Sequence, residues 1–206
     1  MLDEPLMNLD FKLREQLRDE FLELFSGESQ AVTLYATTEI TEAMMLGYEL
    51  IVMHEGRILQ VGPPAEVFER PKNIDVAQIV NDPPMSVITA RVEGDHIVLG
   101  SGHTVAKPAH LAALGEGEYQ FGMRAMDIVP AGASSEAEAT TIGFVEVSGS
   151  ETVLYVRSES GDLVVQIEGI HDYTAGESLL VTLRPERFFA FDREGALLTA
   201  PMVEVR

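Results

Sequence analysis

The chain has 206 residues, with 34 Asp+Glu against 14 Lys+Arg, a formal charge of -20, and 46% hydrophobic residues. That length allows one large domain or two small ones, and the apolar share is enough for a real core. The charge excludes direct binding to nucleic acid or to an anionic membrane surface, and the absence of cysteine excludes disulfides, thiol chemistry and Cys-ligated zinc.

In chain order, Leu2-Asp3-Glu4-Pro5-Leu6 places two adjacent carboxylates after a very short apolar start. From Leu9 to Phe25, apolar residues recur at spacings of three and four, predicting an amphipathic helix that Asn8 or Asp10 caps. Val32 to Ala36 is β-prone, Thr37 and Thr38 offer a cap, and a second helix runs from about Glu39 to Leu46, closed by Gly47. Leu50 to Met53 and Arg57 to Val61 flank His54-Glu55-Gly56, a hairpin signal. Pro64 to Glu69 and Ile74 to Val80 read as two short helices.

After Asp82-Pro83-Pro84 the helical period disappears. The runs 86–92, 96–99, 119–123, 141–147, 152–157, 162–167 and 178–183 read as short strands between Gly-rich turns, a pattern suited to a sandwich or small barrel. Ala131 to Ala139 is the most linker-like stretch among them. Tyr119 to Ile128 aligns without gaps on Leu179 to Phe188, each an apolar strand ending in Arg and a turn. That echo fits a duplicated unit, and it also fits two strands built independently to one pattern.

An Asp-Glu-Pro turn alone is commonplace on a surface. Paired carboxylates at the end of a buried strand, by contrast, need a cation or a polarised water beside them. The run LDEPL, NLD, LREQLRDE and, after a strand, TTEITEAMMLGYELIVMHEGRILQVGPPAEVFERP resembles the second half of the nucleotide-binding domain of ABC transporters. It is similar in particular to the ATPases of bacterial importers of sugars and sn-glycerol-3-phosphate. The resemblance continues through GSETVLYV and LRPERFFAFDREG, which look like that family's C-terminal regulatory (TOBE) domain.

The resemblance implies an α+β chain: residues 1–85 as the C-terminal portion of a P-loop α/β nucleotide-binding domain, then 86–206 as an all-β, OB-like barrel domain. It implies ATP and Mg²⁺ as cofactors of the complete protein. By the same motif match, Asp3 takes the place of the aspartate that holds Mg²⁺ through water, and Glu4 that of the carboxylate that polarises the attacking water. Asp10 matches the end of the loop that crosses the ATPase dimer interface beside the nucleotide. Implied partners are a second ATPase subunit or a second copy, transmembrane permease subunits and a regulatory protein, at the cytoplasmic face of the membrane.

Three departures limit that reading. Thr38 stands at the family's switch histidine and cannot donate like an imidazole to a γ-phosphate. Met7 stands where the dimer-interface loop usually has Ser. No G-x-x-x-x-G-K-[ST] loop, Q-loop or LSGGQ-like signature occurs in these 206 residues, so no backbone cradle for a triphosphate is expected from this chain alone. Only Met1 and Leu2 precede Asp3, fewer than a central strand needs, which suggests a start inside an element. The expected function is therefore part of an importer's ATP-binding subunit, inactive by itself. The Thr-Thr-Glu run resembles one of the paired ATPases of glycerol-type importers, which points to a sugar or polyol as substrate. The alternative is a non-catalytic regulatory or ligand-binding β module. The five histidines show no ligand spacing, and solvated positions are expected for them.

Overall fold

A computed structural model describes residues 1–26, 32–131 and 137–202. The linker-like stretch 131–139 thus falls largely outside the described residues. The chain forms two compact units, Met1–Phe68 and Glu69–Arg206. Their boundary lies earlier than the 85/86 division expected from the loss of helical period.

In the first unit, β1 (Leu2–Asp3) is followed by α1 (Phe11–Ser26), β2 (Tyr35–Ala36), α2 (Ile40–Leu46), the hairpin β3 (Leu50–His54) and β4 (Arg57–Gly62), and then α3 (Pro64–Glu69), whose last residue lies in the second unit. Of the two candidate caps for α1, Asp10 performs the role: its Oδ1 accepts from the Leu13 N–H at 3.0 Å. Thr37 and Thr38 do not cap α2 directly. The N-cap residue is Glu39, whose side chain makes no capping bond and whose N–H donates to Thr37 Oγ1 at 3.0 Å. The hairpin turns on Glu55 (φ 48°) and Gly56 (φ 73°), the pair of positive φ values a two-residue primed turn requires. Few apolar side chains here are fully covered. Leu6, Val52 and Val67 are buried, whereas Leu24 on α1 is 67% exposed and the hairpin exposes Ile51, Met53, Ile58 and Val61.

The second unit opens with α4 (Ile74–Ile79), capped by Asn73, whose Oδ1 accepts from the Val76 N–H at 2.9 Å. Ala77 of α4 packs with Met85, Phe189 and Phe191, so this helix belongs to the β region's packing. Then follow β5 (Ser86–Glu93), β6 (His96–Val98), β7 (Thr104–Ala106), β8 (Gly117–Met123), β9 (Ile128–Pro130), β10 (Glu138–Val147), β11 (Glu151–Ser158), β12 (Gly161–Glu168), β13 (Ser178–Leu183), β14 (Phe189–Phe191) and β15 (Leu197–Thr199). One sheet has the order β12-β11-β10-β13-β9 and the other β15-β14-β8-β5-β6-β7. Ile88, Val92, Phe121 and Met123 from the six-stranded sheet share one core with Ile142, Leu154, Val165 and Leu183 from the five-stranded sheet. A bulge between Ile142 and Phe144 lets both Ile142 and Val145 face that core.

The echo between 119–128 and 179–188 is structural as well as textual. Each copy is a strand, an arginine in extended conformation and a 3₁₀ turn, Ala125–Asp127 in one and Pro185–Arg187 in the other. Each then continues into a short strand that joins the other copy's sheet. β14 pairs with β8 through Phe189↔Gly122 and Ala190↔Phe121, and β9 pairs with β13 through Val129↔Thr182 and Pro130↔Val181. The two registers interconvert when each partner is exchanged for its counterpart in the echo. Both halves therefore build four antiparallel strands and pass the chain after the 3₁₀ turn to the opposite sheet, the first half giving β9 and the second β14 with β15 outside it, which favours duplication over chance. The fold is α+β, with an OB-like β region made of two interlocked halves.

Candidate functional site

β1 and β2 pair in parallel, Leu2↔Tyr35 and Asp3↔Ala36, so both chains leave the two-stranded sheet at the same end. That arrangement brings Asp3-Glu4 alongside Thr37-Thr38, although α1 lies between them in sequence. The carboxyl ends of parallel strands are where α/β folds gather their functional groups. Asp3 is exposed and Glu4 half-buried. The Glu4 backbone is fixed by its N–H donating to Ala36 O at 2.9 Å, and one carboxylate oxygen, Oε1, accepts from the Thr38 N–H at 2.8 Å. Glu4 has φ 43°, a left-handed value unusual for a residue with a side chain, and Asn8, further along the same turn, has φ 65°. The turn between them seats Leu6, which is buried, and leaves Met7 exposed.

Of the four residues singled out in the sequence, Asp3, Glu4 and Thr38 meet at this sheet end. Thr38 meets Glu4 through its backbone amide, and its side chain is exposed. Asp10 is engaged elsewhere, in the first turn of α1.

One residue of the site escaped the sequence reading. Glu42, the third residue of α2, is 4% exposed, and its Oε2 accepts from both Tyr35 Oη and Thr37 Oγ1, each at 3.0 Å. The hydroxyl of Tyr35 is pushed well above its ordinary pKa, first by burial and then by its hydrogen bond to Glu42 and the charges of Glu42 and Glu4. The Tyr35 ring lies edge-on to the stacked Phe21 and Phe25 of α1, with centroids 5.9 and 6.5 Å away. A signal for Glu42 was present: with Glu39 as N-cap, it occupies the position where a capping-box glutamate stands. Its carboxylate turns instead to Thr37 and Tyr35.

Elsewhere, no three His, Asp or Glu residues gather as metal ligands among the described residues. Of the histidines expected to be solvated, His171 is exposed, with Nε2 2.9 Å from Glu168 O, whereas His110 is half-buried and bonds through Nε2 to Phe188 O at 2.8 Å. The Arg184–Arg187 turn carries an ion pair, Arg187 Nε to Asp127 Oδ1 at 3.7 Å. These two residues are counterparts in the echo, so the copies hold each other across their 3₁₀ turns.

No protein-family model matches the chain. An ABC transporter ATP-binding protein of Escherichia coli O157:H7, YcjV, is 33% identical over 199 residues, covering 94% of this chain and 55% of its own length. The chain is related to the ATP-binding proteins of ABC transporters. The sn-glycerol-3-phosphate import ATP-binding protein UgpC of Chromohalobacter salexigens is 35% identical over 202 residues, covering 95% of this chain and 54% of its own length. The oligosaccharides import ATP-binding protein MsmX of Bacillus subtilis is 30% identical over 204 residues, covering 94% and 56%. The chain thus spans about half the length of the curated relatives it matches. Among solved structures, the cytoplasmic molybdate-binding protein ModG aligns with 57% of the chain at 13% identity and a TM-score of 0.39. No helix among the described residues is long and apolar enough to cross a membrane.

Proposed function

We propose that this chain is the portion of an ABC importer's ATP-binding subunit that carries the two catalytic carboxylate positions and the regulatory β region, serving uptake of a sugar or polyol. The observation that carries the proposal is the parallel β1–β2 pairing, which sets Asp3 and Glu4 beside the Thr37-Thr38 turn within a chain related along nearly all its length to importer ATPases.

The residues present fit half of a Mg-nucleotide site. An exposed Asp3 is suited to hold a water bound to Mg²⁺, and Glu4 keeps a carboxylate oxygen beyond the one bonded to Thr38 with which to hold and polarise a second water. A glycine-rich loop with a lysine, the usual cradle of a triphosphate, has no counterpart in these 206 residues. Mg-ATP, when bound, supplies the electrophilic phosphoryl group and the charge neutralisation that its transfer needs. On this reading Asp10 and the β region contribute at subunit contacts. The assembly includes permease subunits at the inner membrane face and a second ATP-binding subunit that keeps its own histidine and phosphate loop.

Two measurements test this. The chain alone, given Mg-ATP, should release phosphate no faster than a buffer blank; turnover above it that Glu4→Gln abolishes would overturn the predicted inactivity. Tagged chain expressed in its own cell should copurify, from detergent-solubilised membranes, with permease and ATP-binding subunits identified by mass spectrometry. Recovery without them would leave the β region as a stand-alone regulatory module, a reading that the exposed Thr38 side chain and the well-filled β core favour.

A further inference from the structure

We propose that Glu42 is the positioning residue of this site, orienting Glu4 through the Thr37 hydroxyl and the Thr38 amide. The inference rests on the reading of Glu4 as the water-polarising carboxylate. A carboxylate as covered as Glu42 is costly to bury, and an apolar side chain would fill the same space more cheaply, so its acceptor capacity is what distinguishes it.

That capacity is used in one direction. Oε2 takes the Thr37 O–H, and Thr37 Oγ1 in turn takes the Glu39 N–H. Residues 37 to 39 are thereby held at both ends of the turn, and the amide between them, that of Thr38, points at Glu4 Oε1. Tyr35 supplies the second donor to Oε2 and is itself pinned against Phe21 and Phe25, which fixes where the Glu42 carboxylate sits. Glu4 needs such a hold. Its left-handed backbone sets where its side chain starts, and the bond from the Thr38 amide ties its carboxylate to the turn that follows β2. The chain of contacts thus runs from Glu42 through Thr37 and Thr38 to Glu4, with no link through a side chain at the switch position. The arrangement explains how Glu4 can be oriented although a threonine replaces the histidine.

The test is amide NMR on the full chain, without nucleotide. In the wild-type background, Glu4→Gln should shift the Thr38 amide proton, because it removes the charged acceptor. In a Glu42→Ala background that response should vanish, and Thr38 N–H exchange should quicken by about tenfold or more, the scale of losing a hydrogen bond to a charged group. Glu42→Gln, which keeps a carbonyl oxygen for the Thr37 hydroxyl, should restore both. A Thr38 amide that still responds to Glu4→Gln and exchanges at the wild-type rate in Glu42→Ala would overturn the proposal. Should Glu42→Ala unfold the first unit, Thr37→Val decides: it keeps the shape and removes the bridging hydroxyl. Loss of the Thr38 response in that variant supports the relay, and its retention overturns it. Failure of the copurification measurement would remove the proposed function while leaving these contacts intact, so the two readings fail separately.

Discussion

At the scale of single residues, Glu4 combines a demanding backbone with a side chain proposed to do chemistry, the association expected where strain is retained for function. Glu4→Gly and Glu4→Ala both delete the bond from Thr38, and they differ in how readily they accept a positive φ. The glycine variant should therefore leave the first unit more stable than the alanine variant by about 1 kcal/mol, read by urea unfolding followed through amide signals of that unit. Equal stabilities would mean that the left-handed backbone costs nothing here. Tyr35 gives a second expectation. Its hydroxyl ionises above the ordinary tyrosine value, so the protonated form favours the folded state; that contribution is complete below about pH 10 and is lost as pH rises through the raised value. Phenolate absorbance titrated upward from about pH 9 should lose its latest-rising part in Tyr35→Phe. These residues were unequally legible in sequence. Asp3, Glu4 and Thr38 stand in a motif whose order names them. Glu42 reads as one more carboxylate in an acidic chain, because its meaning depends on a strand and a turn that only folding brings to it.

At the scale of elements, the longer strands and helices were readable because their periodicity is long enough to register, as with Ser86–Glu93 and Glu151–Ser158. The three-residue strands β9, β14 and β15 were not: Phe188-Phe189-Ala190-Phe191 is apolar throughout, and nothing local tells a donated strand from a buried turn. The exchanged strands leave little room at their joint. A Cβ on Gly122 would come within 2.5 Å of Met85 Sδ and 2.9 Å of Phe191 Cε2, so Gly122→Ala should destabilise the β unit by about 1–3 kcal/mol in thermal or urea unfolding. The ion pair between the two 3₁₀ turns has a pH signature. Burial raises the Asp127 carboxyl above its ordinary value, against the opposing charges of Arg187, Arg124 and Arg184. With the folded pKa above the unfolded one, the contribution is full below about pH 4 and is lost as pH rises through the raised value. The stability of the wild type relative to Asp127→Asn should accordingly decline from about pH 4 upward. A difference that stays flat or grows would contradict the raised carboxyl.

For the whole molecule, two properties act in opposition. The first unit leaves Leu24, Ile51, Met53 and Ile58 exposed, and such surfaces favour any contact that covers them. Each chain also carries a formal charge of -20, which repels a second copy over a Debye length of about 8 Å at physiological salt. Self-association should therefore strengthen between about 50 and 500 mM NaCl in light scattering at tens of micromolar protein. A monomer at both concentrations would leave pairing between copies unsupported.

The interlocked β halves also govern how the chain can fold as it comes off the ribosome. Residues 86–123 emerge with Phe121 and Met123 destined for the core, yet the strands that complete their sheet beyond β8 are β14 and then β15, both made only after β13. At about 5–20 residues per second, several seconds of synthesis pass between the first partner and the second. During that interval the nascent first half presents an open strand edge beside an unfinished apolar face, and its own donated strand, β9, has no β13 to join. Neither sheet closes early. The two reach completion almost together, once β13, β14 and β15 have all been made, and until then a chaperone would find in the growing chain an edge and a face that the finished fold no longer offers.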